Sequence, residues 1–285
     1  MIHQKTRLIF FLVVAYMTLV FGAKAVVTTK TETYKDIIDK SLALVSQGER
    51  AQALLLLKAI VKKESEKSSS GKEIAAALDE VANLFLTEKG QQSFETAQSL
   101  FWTDLNLAIG KLQETASLET DHLLVQLMLG RAHIANGDCR KAKSFAAKTK
   151  EINEYDERVD LLNAQVLLCG GQFEEYQLAK QKIDFKKSKY PAMWKILDVE
   201  YEFKSNRFDR AREILNPLLL DKKINPETYY WLYKTSAEDK AEKSKYAQKY
   251  VSACKSMTAR QKREMAEDPW LCRHLPEVEA EIKKS

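Results

Sequence analysis

The hydrophobic and polar positions of this chain follow the period of an α-helix, and the pattern repeats after 34 residues. Between residues 121 and 135, apolar side chains return at intervals of three and four, which is typical of one buried helix face. Gly130 and Ala164 stand 34 positions apart, and so do Gly137 and Gly171. We expect the first two residues at close helix crossings and the latter two in turns, because glycine adopts the backbone conformation that ends a helix. The spacing predicts helix–turn–helix units stacked in series.

Similar patterns lie on both sides of this unit. A second unit covers about residues 157–190, and a third opens at Pro191. Upstream, residues 41–63 and 93–108 carry the same pattern with wider spacing, which indicates insertions, and downstream we expect a sixth helical pair between residues 225 and 256. No run of alternating β-branched residues with hairpin signals occurs, so we do not expect a sheet.

Three stretches are expected to interrupt or close the array. The polar segment 63–73 is predicted to be a mobile loop. Pro217 is expected to end or kink its helix, because proline lacks an N–H and clashes with the preceding turn. Residues 257–285 contain Pro269 and Pro276 and are predicted to form a terminal cap over the last apolar face.

The unit with the clearest pattern resembles a tetratricopeptide repeat. Gly130 follows a leucine in the first helix, Gly137 forms the turn, and Ala142 is the small residue of the second helix. The unit differs from that family because it lacks the large aromatic residue of the second helix, where Cys139 and Ala146 stand instead.

The resemblance covers residues 36–256 and implies an all-α, tetratricopeptide-like solenoid of about five to six helix–turn–helix repeats, with a C-terminal helical cap at 257–285. In this family a concave groove, lined by the first helices, receives an extended peptide or a partner helix. Matching first-helix positions gives the expected partner-binding residues: Leu127, Arg131, Ile134, Gln165, Leu168, Ile196, Glu200 and Phe203. Arg131, Gln165 and Glu200 hold equivalent positions in successive units, so we expect them to form a polar track.

The N-terminal residues 1–25 have the pattern of a secretory signal peptide. Lys5 and Arg7 precede a run of apolar residues from Leu8 to Phe21, and small residues follow at positions 23 and 25. The run is short for a membrane span, which needs about 20 apolar residues. We therefore predict a cleaved signal followed by a linker at 26–35, with no integral membrane span afterwards; the alternative is an uncleaved anchor.

The overall charge gives no general case for nucleic-acid binding. The chain has 45 Lys and Arg residues against 40 Asp and Glu residues, and loss of three bases with the signal would leave 42 against 40. Residues 240–263 are locally basic, with eight bases and one acid, Glu242. This segment has two interpretations: it contacts an anionic partner, or it is a solvated helix face.

The four cysteines all lie after the predicted signal. An even number in an exported protein permits disulfides, and four cysteines allow three connectivities. The shortest loops are closed by pairing Cys139 with Cys169 and Cys254 with Cys272. The alternative is that these cysteines are small buried hydrophobic residues.

The sequence carries no recognisable catalytic or metal-binding motif. H-E-x-x-H, G-x-S-x-G and G-x-G-x-x-G are absent. Residues 68–73 lack the upstream glycine and the final Ser or Thr of a phosphate-binding loop. His133 falls among apolar helix positions, so we interpret it as a packed residue rather than a metal ligand. We expect no cofactor, no metal and no enzymatic activity.

These observations predict a non-catalytic scaffold or adaptor in the cell envelope that binds a protein or peptide. The alternative is a structural subunit of an envelope or secretion assembly that self-associates. Export is predicted by the signal, and the bacterial periplasm is preferred because the chain has no N-x-[ST] glycosylation acceptor.

Overall fold

The computed structural model describes residues 33–63, 68–101, 103–221, 224–236, 239–257 and 272–284, and all regular elements in these ranges are α-helices. Residues 38–285 form one compact unit, and the described residues 33–37 belong to another. The predicted signal, most of the linker and residues 258–271 of the predicted cap lie outside the described residues.

The helices follow one another with short connections. The N-terminal part contains α1 (Tyr34–Ser46), α2 (Arg50–Val61), α3 (Ser69–Asn83), α4 (Glu88–Leu100) and α5 (Leu105–Leu118). The central part contains α6 (Leu123–Ala135), α7 (Cys139–Asn153), α8 (Glu157–Cys169) and α9 (Phe173–Lys180). The C-terminal part contains α10 (Pro191–Lys204), α11 (Phe208–Leu218), α12 (Pro226–Thr235), α13 (Lys240–Lys255) and α14 (Leu275–Ile282).

From α6 onward the helices form four hairpins that stack in series. Their first helices begin at Leu123, Glu157, Pro191 and Pro226, which are 34, 34 and 35 residues apart. Each first helix contacts the first helix of the next hairpin, so α6 packs on α8, α8 on α10, and α10 on α12. This arrangement confirms the predicted solenoid, in which each hairpin buries its apolar side against its neighbours.

The turns inside the first three of these hairpins are closed in the same way. The backbone φ angle is +75° at Gly137, +69° at Gly171 and +58° at Asn206. The following N–H of Asp138 donates to the carbonyl of His133 at 2.8 Å, and the two later turns repeat this bond at the same length. These bonds satisfy carbonyls at the helix end that would otherwise lack a partner. The predicted turns are therefore confirmed, with Asn206 replacing glycine in the third.

The close helix crossing expected at Gly130 is also present. A Cβ atom at this position would lie 2.8 Å from the Leu162 side chain of α8 and 3.4 Å from Phe145 of α7. The small residues Ala142 of α7 and Ala164 of α8 are also fully buried. The absence of a side chain at Gly130 lets three helices meet closely.

The N-terminal helices depart from the regular order. Helix α2 pairs with α3, and α4 pairs with α5, while α6 contacts both α3 and α5. The prediction of a loop over residues 63–73 is wrong in its extent, because α3 already begins at Ser69. The Ser68 hydroxyl caps this helix by accepting a hydrogen bond from the N–H of Gly71 at 2.9 Å. The segment 93–108 holds the end of one helix and the start of the next, because Asp104 caps α5.

The C-terminal end of the array matches the expected cap in the residues that are described. Pro217 lies one position before the end of α11, as predicted. Helix α14 contacts α13, and its Val278 side chain is fully buried in the last hydrophobic cluster.

Candidate partner-binding surface

The eight predicted partner-binding residues lie on the first helices α6, α8 and α10, but most of them are not at the surface. Ile134 and Phe203 are half-buried. The other six are buried: Leu127, Arg131, Gln165, Leu168, Ile196 and Glu200. Arg131 is 3% exposed and Gln165 only 1%. A partner cannot reach these six side chains while the described packing holds, so their burial argues against direct contact.

In the predicted polar track, Glu200 is already paired with charged residues of the same chain. Its carboxylate contacts Lys204 Nζ at 3.1 Å and Arg273 Nη2 at 3.1 Å. Burial on its own raises the pKa of Glu200, but the charges of Arg273 and Lys204 outweigh it and hold the pKa below its usual value. Glu200 is therefore ionised at neutral pH and paired within the chain.

The residue that reaches Glu200 comes from the segment predicted as a cap. Arg273 stands just before α14, and the neighbouring His274 ring stacks on Tyr230 of α12 with 3.6 Å between centroids. No local sequence pattern predicts this contact, because Arg273 and Glu200 are separated by 73 residues.

An open cleft of about 1370 Å³ lies where the turns of the last two hairpins come side by side. We call it the turn-side cleft. The α10–α11 turn contributes one wall, and the end of α12 with the start of α13 contributes the other. Its lining includes Phe203, Asn206, Arg207, Phe208, Asp209, Arg210, Arg212, Lys234, Thr235, Asp239, Lys240 and Ala241.

An exposed aromatic side chain is held in position in this cleft. Phe208 is 44% exposed, and its ring packs edge-on against Phe203 at 5.2 Å. Phe203 in turn contacts the buried ring of Trp231 at 5.3 Å. The repeat pattern predicted Phe203 as a binding residue but not Phe208, whose only signal was a large apolar residue at the first position of a second helix.

The charges of the cleft are mostly basic. Five bases and two acids line it. Three of the bases are paired with carboxylates: Arg207 with Glu202, Arg212 with Glu242, and Lys234 with Glu277. The remaining two, Arg210 and Lys240, are exposed and form no ion pair with any described residue. The cleft therefore keeps two exposed bases, together with the two acids Asp209 and Asp239, beside an exposed ring.

The histidine expected to be packed is packed. The His133 ring is buried and stacks on Phe145 with 5.3 Å between centroids. Burial lowers the pKa of this histidine. Within the described residues no group of three or more His, Cys, Asp or Glu side chains is placed to hold a metal ion.

Both cysteine pairs that close the shortest loops form disulfides. Cys139, the first residue of α7, is bonded to Cys169, the last residue of α8, with 5.6 Å between Cα atoms. Cys254 of α13 is bonded to Cys272, with a Cα separation of 5.7 Å. In the described ranges, no helix combines the length and hydropathy that crossing a bilayer requires.

No protein-family profile matches the chain, and no curated protein sequence matches it. A solved structure that it matches is the crystal structure of a tetratricopeptide repeat protein from Parabacteroides merdae ATCC 43184 at 2.39 Å resolution. The sequence identity is 16%, the TM-score is 0.46, and the match covers 82% of this chain and 97% of the other. Nothing about function follows from a similarity at this level. By its own geometry of stacked hairpins at a 34–35-residue spacing, this chain is an all-α, tetratricopeptide-like helical-repeat protein.

Proposed function

We propose that this protein is a non-catalytic scaffold that binds a segment of a partner protein in the turn-side cleft. Stacked hairpins present an extended surface because each repeat contacts only its neighbours. The cleft exceeds the usual range of small-molecule pockets, about 300–1,000 Å³, and has room for a peptide segment. The exposed Phe208 ring is the single observation that carries the proposal.

The cleft chemistry favours an acidic partner segment with one large apolar side chain. Phe208 rests on Phe203, so it can anchor an apolar group without first being ordered. Arg210 and Lys240 supply positive charge beside it. Such charges orient a partner and speed its association more than they add affinity. Lys240, the first residue of α13, is also the first residue of the basic segment 240–263, for which an anionic partner was one of the two interpretations.

We also propose that the protein works outside the cytoplasm, with the bacterial periplasm as the preferred location. The two disulfides support this proposal, because such bonds persist in oxidising compartments and are rare in the cytosol.

The cleft is tested by direct binding to the full chain. The probe is a short fluorescent peptide with one central tryptophan flanked by glutamates, and fluorescence anisotropy gives the dissociation constant. We expect Phe208→Ala and Arg210→Glu each to weaken binding about tenfold, or 1.4 kcal/mol, and the affinity to fall with added salt.

Arg140→Glu provides the matched control. Arg140 is also an exposed arginine near the start of a second helix, but it lies on α7, away from the cleft. Equal weakening by Arg140→Glu and Arg210→Glu would show that only overall charge matters, and the cleft assignment would then be wrong.

Self-association remains the alternative function. Size-exclusion chromatography with light scattering separates the two: a monomer that binds the probe supports the scaffold. A stable oligomer that forms without a ligand and is unaffected by Phe208→Ala supports the structural subunit.

A further inference from the structure

Two buried carboxylates on successive first helices hold one arginine of the C-terminal segment. Arg273 Nη2 lies 3.1 Å from Glu200 Oε2 of α10, and Arg273 Nε lies 3.9 Å from Glu227 Oε2 of α12. The side chain of Glu227 is 2% exposed. A guanidinium suits such a site, because its planar group presents several donors in a fixed arrangement.

The site also binds the backbone on both sides of Arg273. The N–H of Cys272 donates to Glu227 Oε1 at 2.9 Å, and the N–H of His274 donates to the Tyr250 hydroxyl at 3.0 Å. The Tyr250 hydroxyl itself donates to Glu227 at 3.2 Å. Residues 272–274 form a turn, with φ +65° at Cys272, so the site recognises the main-chain N–H groups of a turn together with one side chain.

The adjoining surface is complementary to the rest of the segment. Three acids of α14 meet three lysines of α12 and α13, at distances of 2.6–3.6 Å: Glu277 with Lys234, Glu279 with Lys255, and Glu281 with Lys243. These pairs are partly exposed, so each adds little stability. They fix the direction in which the segment lies.

A covalent bond holds the segment at the site. Cys272, which directly precedes Arg273, is bonded to Cys254 at the end of α13. This bond raises the effective concentration of Arg273 at the two carboxylates, because it shortens the tether between them.

We propose that Glu200, Glu227 and Tyr250 form a binding site for an arginine-bearing peptide segment, which residues 272–274 occupy while the Cys254–Cys272 bond is closed. A partner segment with arginine at the place of Arg273 competes for the site once that bond is open. Opening requires a dithiol reductant, which becomes a disulfide as Cys254 and Cys272 become thiols. The site is separate from the turn-side cleft except that Lys234 borders both, so a failure of one proposal leaves the other standing.

The test measures binding of a labelled peptide with the sequence of residues 273–284 to the full chain. Wild-type protein with both disulfides intact should bind the peptide at least about tenfold more weakly than the variant Cys254→Ser with Cys272→Ser. The matched control, Cys139→Ser with Cys169→Ser, removes the other disulfide and should bind like the wild type.

Two further measurements identify the chemistry of the site. Adding Glu200→Gln to the Cys254→Ser, Cys272→Ser variant should weaken peptide binding about tenfold or more, and so should replacing the arginine of the peptide with alanine. Arg273→Ala in the full chain removes the guanidinium from Glu200 and Glu227 with both disulfides intact, and it should strengthen peptide binding relative to the wild type. This variant covers the case in which the cysteine variant does not fold. The proposal is overturned if neither the Cys254→Ser, Cys272→Ser variant nor Arg273→Ala binds the peptide more tightly than the wild type does. It is also overturned if the affinity does not depend on Glu200 or on the arginine of the peptide.

Discussion

Two adjacent glycines at the end of α8 have different roles. Gly171 has a backbone φ of +69°, whereas Gly170 has φ −82° and tolerates a side chain. A Cβ atom at Gly170 would make only ordinary contacts, the nearest at 3.5 Å. Only Gly171 is held in a conformation that residues with a side chain rarely adopt.

Gly171→Ala is therefore expected to destabilise the protein by about 1 kcal/mol, because alanine is strained in the left-handed conformation. Urea unfolding followed by circular dichroism measures the change. Gly170→Ala is the control and should stay within about 0.5 kcal/mol of the wild type. A similar loss in both variants would contradict the assignment of the turn.

His122 is a buried neutral histidine next to aromatic rings. It is fully buried, and its ring lies 4.0 Å from the ring of Phe85. Burial, aided by the positive charge of Arg50, lowers the pKa of His122 to about 3. As the pH falls from about 6.5, the pKa of His122 in the unfolded chain, to about 3, its pKa in the folded chain, the unfolded chain takes up a proton that the folded chain does not. Stability is thus fully present above pH 6.5 and declines as the pH falls towards 3.

The predicted slope is testable with His122→Gln, which cannot titrate. The free energy of unfolding of the wild type should fall between pH 6 and 4 more steeply than that of the variant. The expected difference approaches about 1.4 kcal/mol per pH unit, the effect of one proton. Urea titrations at several pH values measure both slopes, and equal slopes would show that His122 is not the responsible group.

At the scale of the helices, one carboxylate joins elements that the repeat pattern leaves apart. The fully buried side chain of Glu119, at the end of α5, accepts bonds from the N–H groups of Leu86 and Thr87 before α4, and from Arg50 of α2 at 2.9 Å. Burial raises the pKa of Glu119, but these hydrogen bonds outweigh it and the pKa is lowered. The carboxylate thus links α2, α5 and the segment before α4.

Glu119→Gln is expected to cost about 3–5 kcal/mol, because it leaves the Arg50 guanidinium buried without its counter-charge. Glu114→Gln on the same helix is the control: Glu114 forms a partly exposed pair with Lys111, and its loss should change the free energy of unfolding little. Chemical denaturation of both variants measures the difference. Comparable small losses would mean that Glu119 does not hold these helices together.

The sequence predicted the hairpins from α6 onward because their features are local. A turn glycine such as Gly137 and a crossing residue such as Gly130 restrict residue type at a single position, so they recur at a fixed spacing. The arrangement of α3, α4 and α5 was not predicted, because it depends on the Arg50–Glu119 contact, whose partners are 69 residues apart. Nothing in either local sequence specifies the other partner.

For the molecule as a whole, the two disulfides define a testable connectivity. Their Cα separations of 5.6 and 5.7 Å fall within the range that unstrained disulfides require. Tryptic digestion of the non-reduced, oxidised protein and mass spectrometry should identify peptides linked as Cys139–Cys169 and Cys254–Cys272, which separate on reduction. A linkage between any other two of these cysteines would contradict the stacking of α7 against α8 or the docking of residues 272–274.

The candidate site was predictable only in part. Matching first-helix positions found Glu200 and Phe203, and both lie at sites that we propose to be functional. It did not foresee that Arg273 would lie on Glu200, because positions transferred from a repeat pattern carry no information about a segment outside the repeats. Phe208 was missed because its exposure depends on the neighbouring hairpin.

The bond between Cys139 and Cys169 has a mechanical consequence. It fastens the first residue of α7 to the last residue of α8 and so locks the joint between two successive hairpins. In such an array each repeat contacts only its neighbours, so the relative orientation of two hairpins is set at the joint between them. The covalent bond limits the relative motion of α7 and α8 at this joint, whereas α8 and α10 are joined by packing without a disulfide.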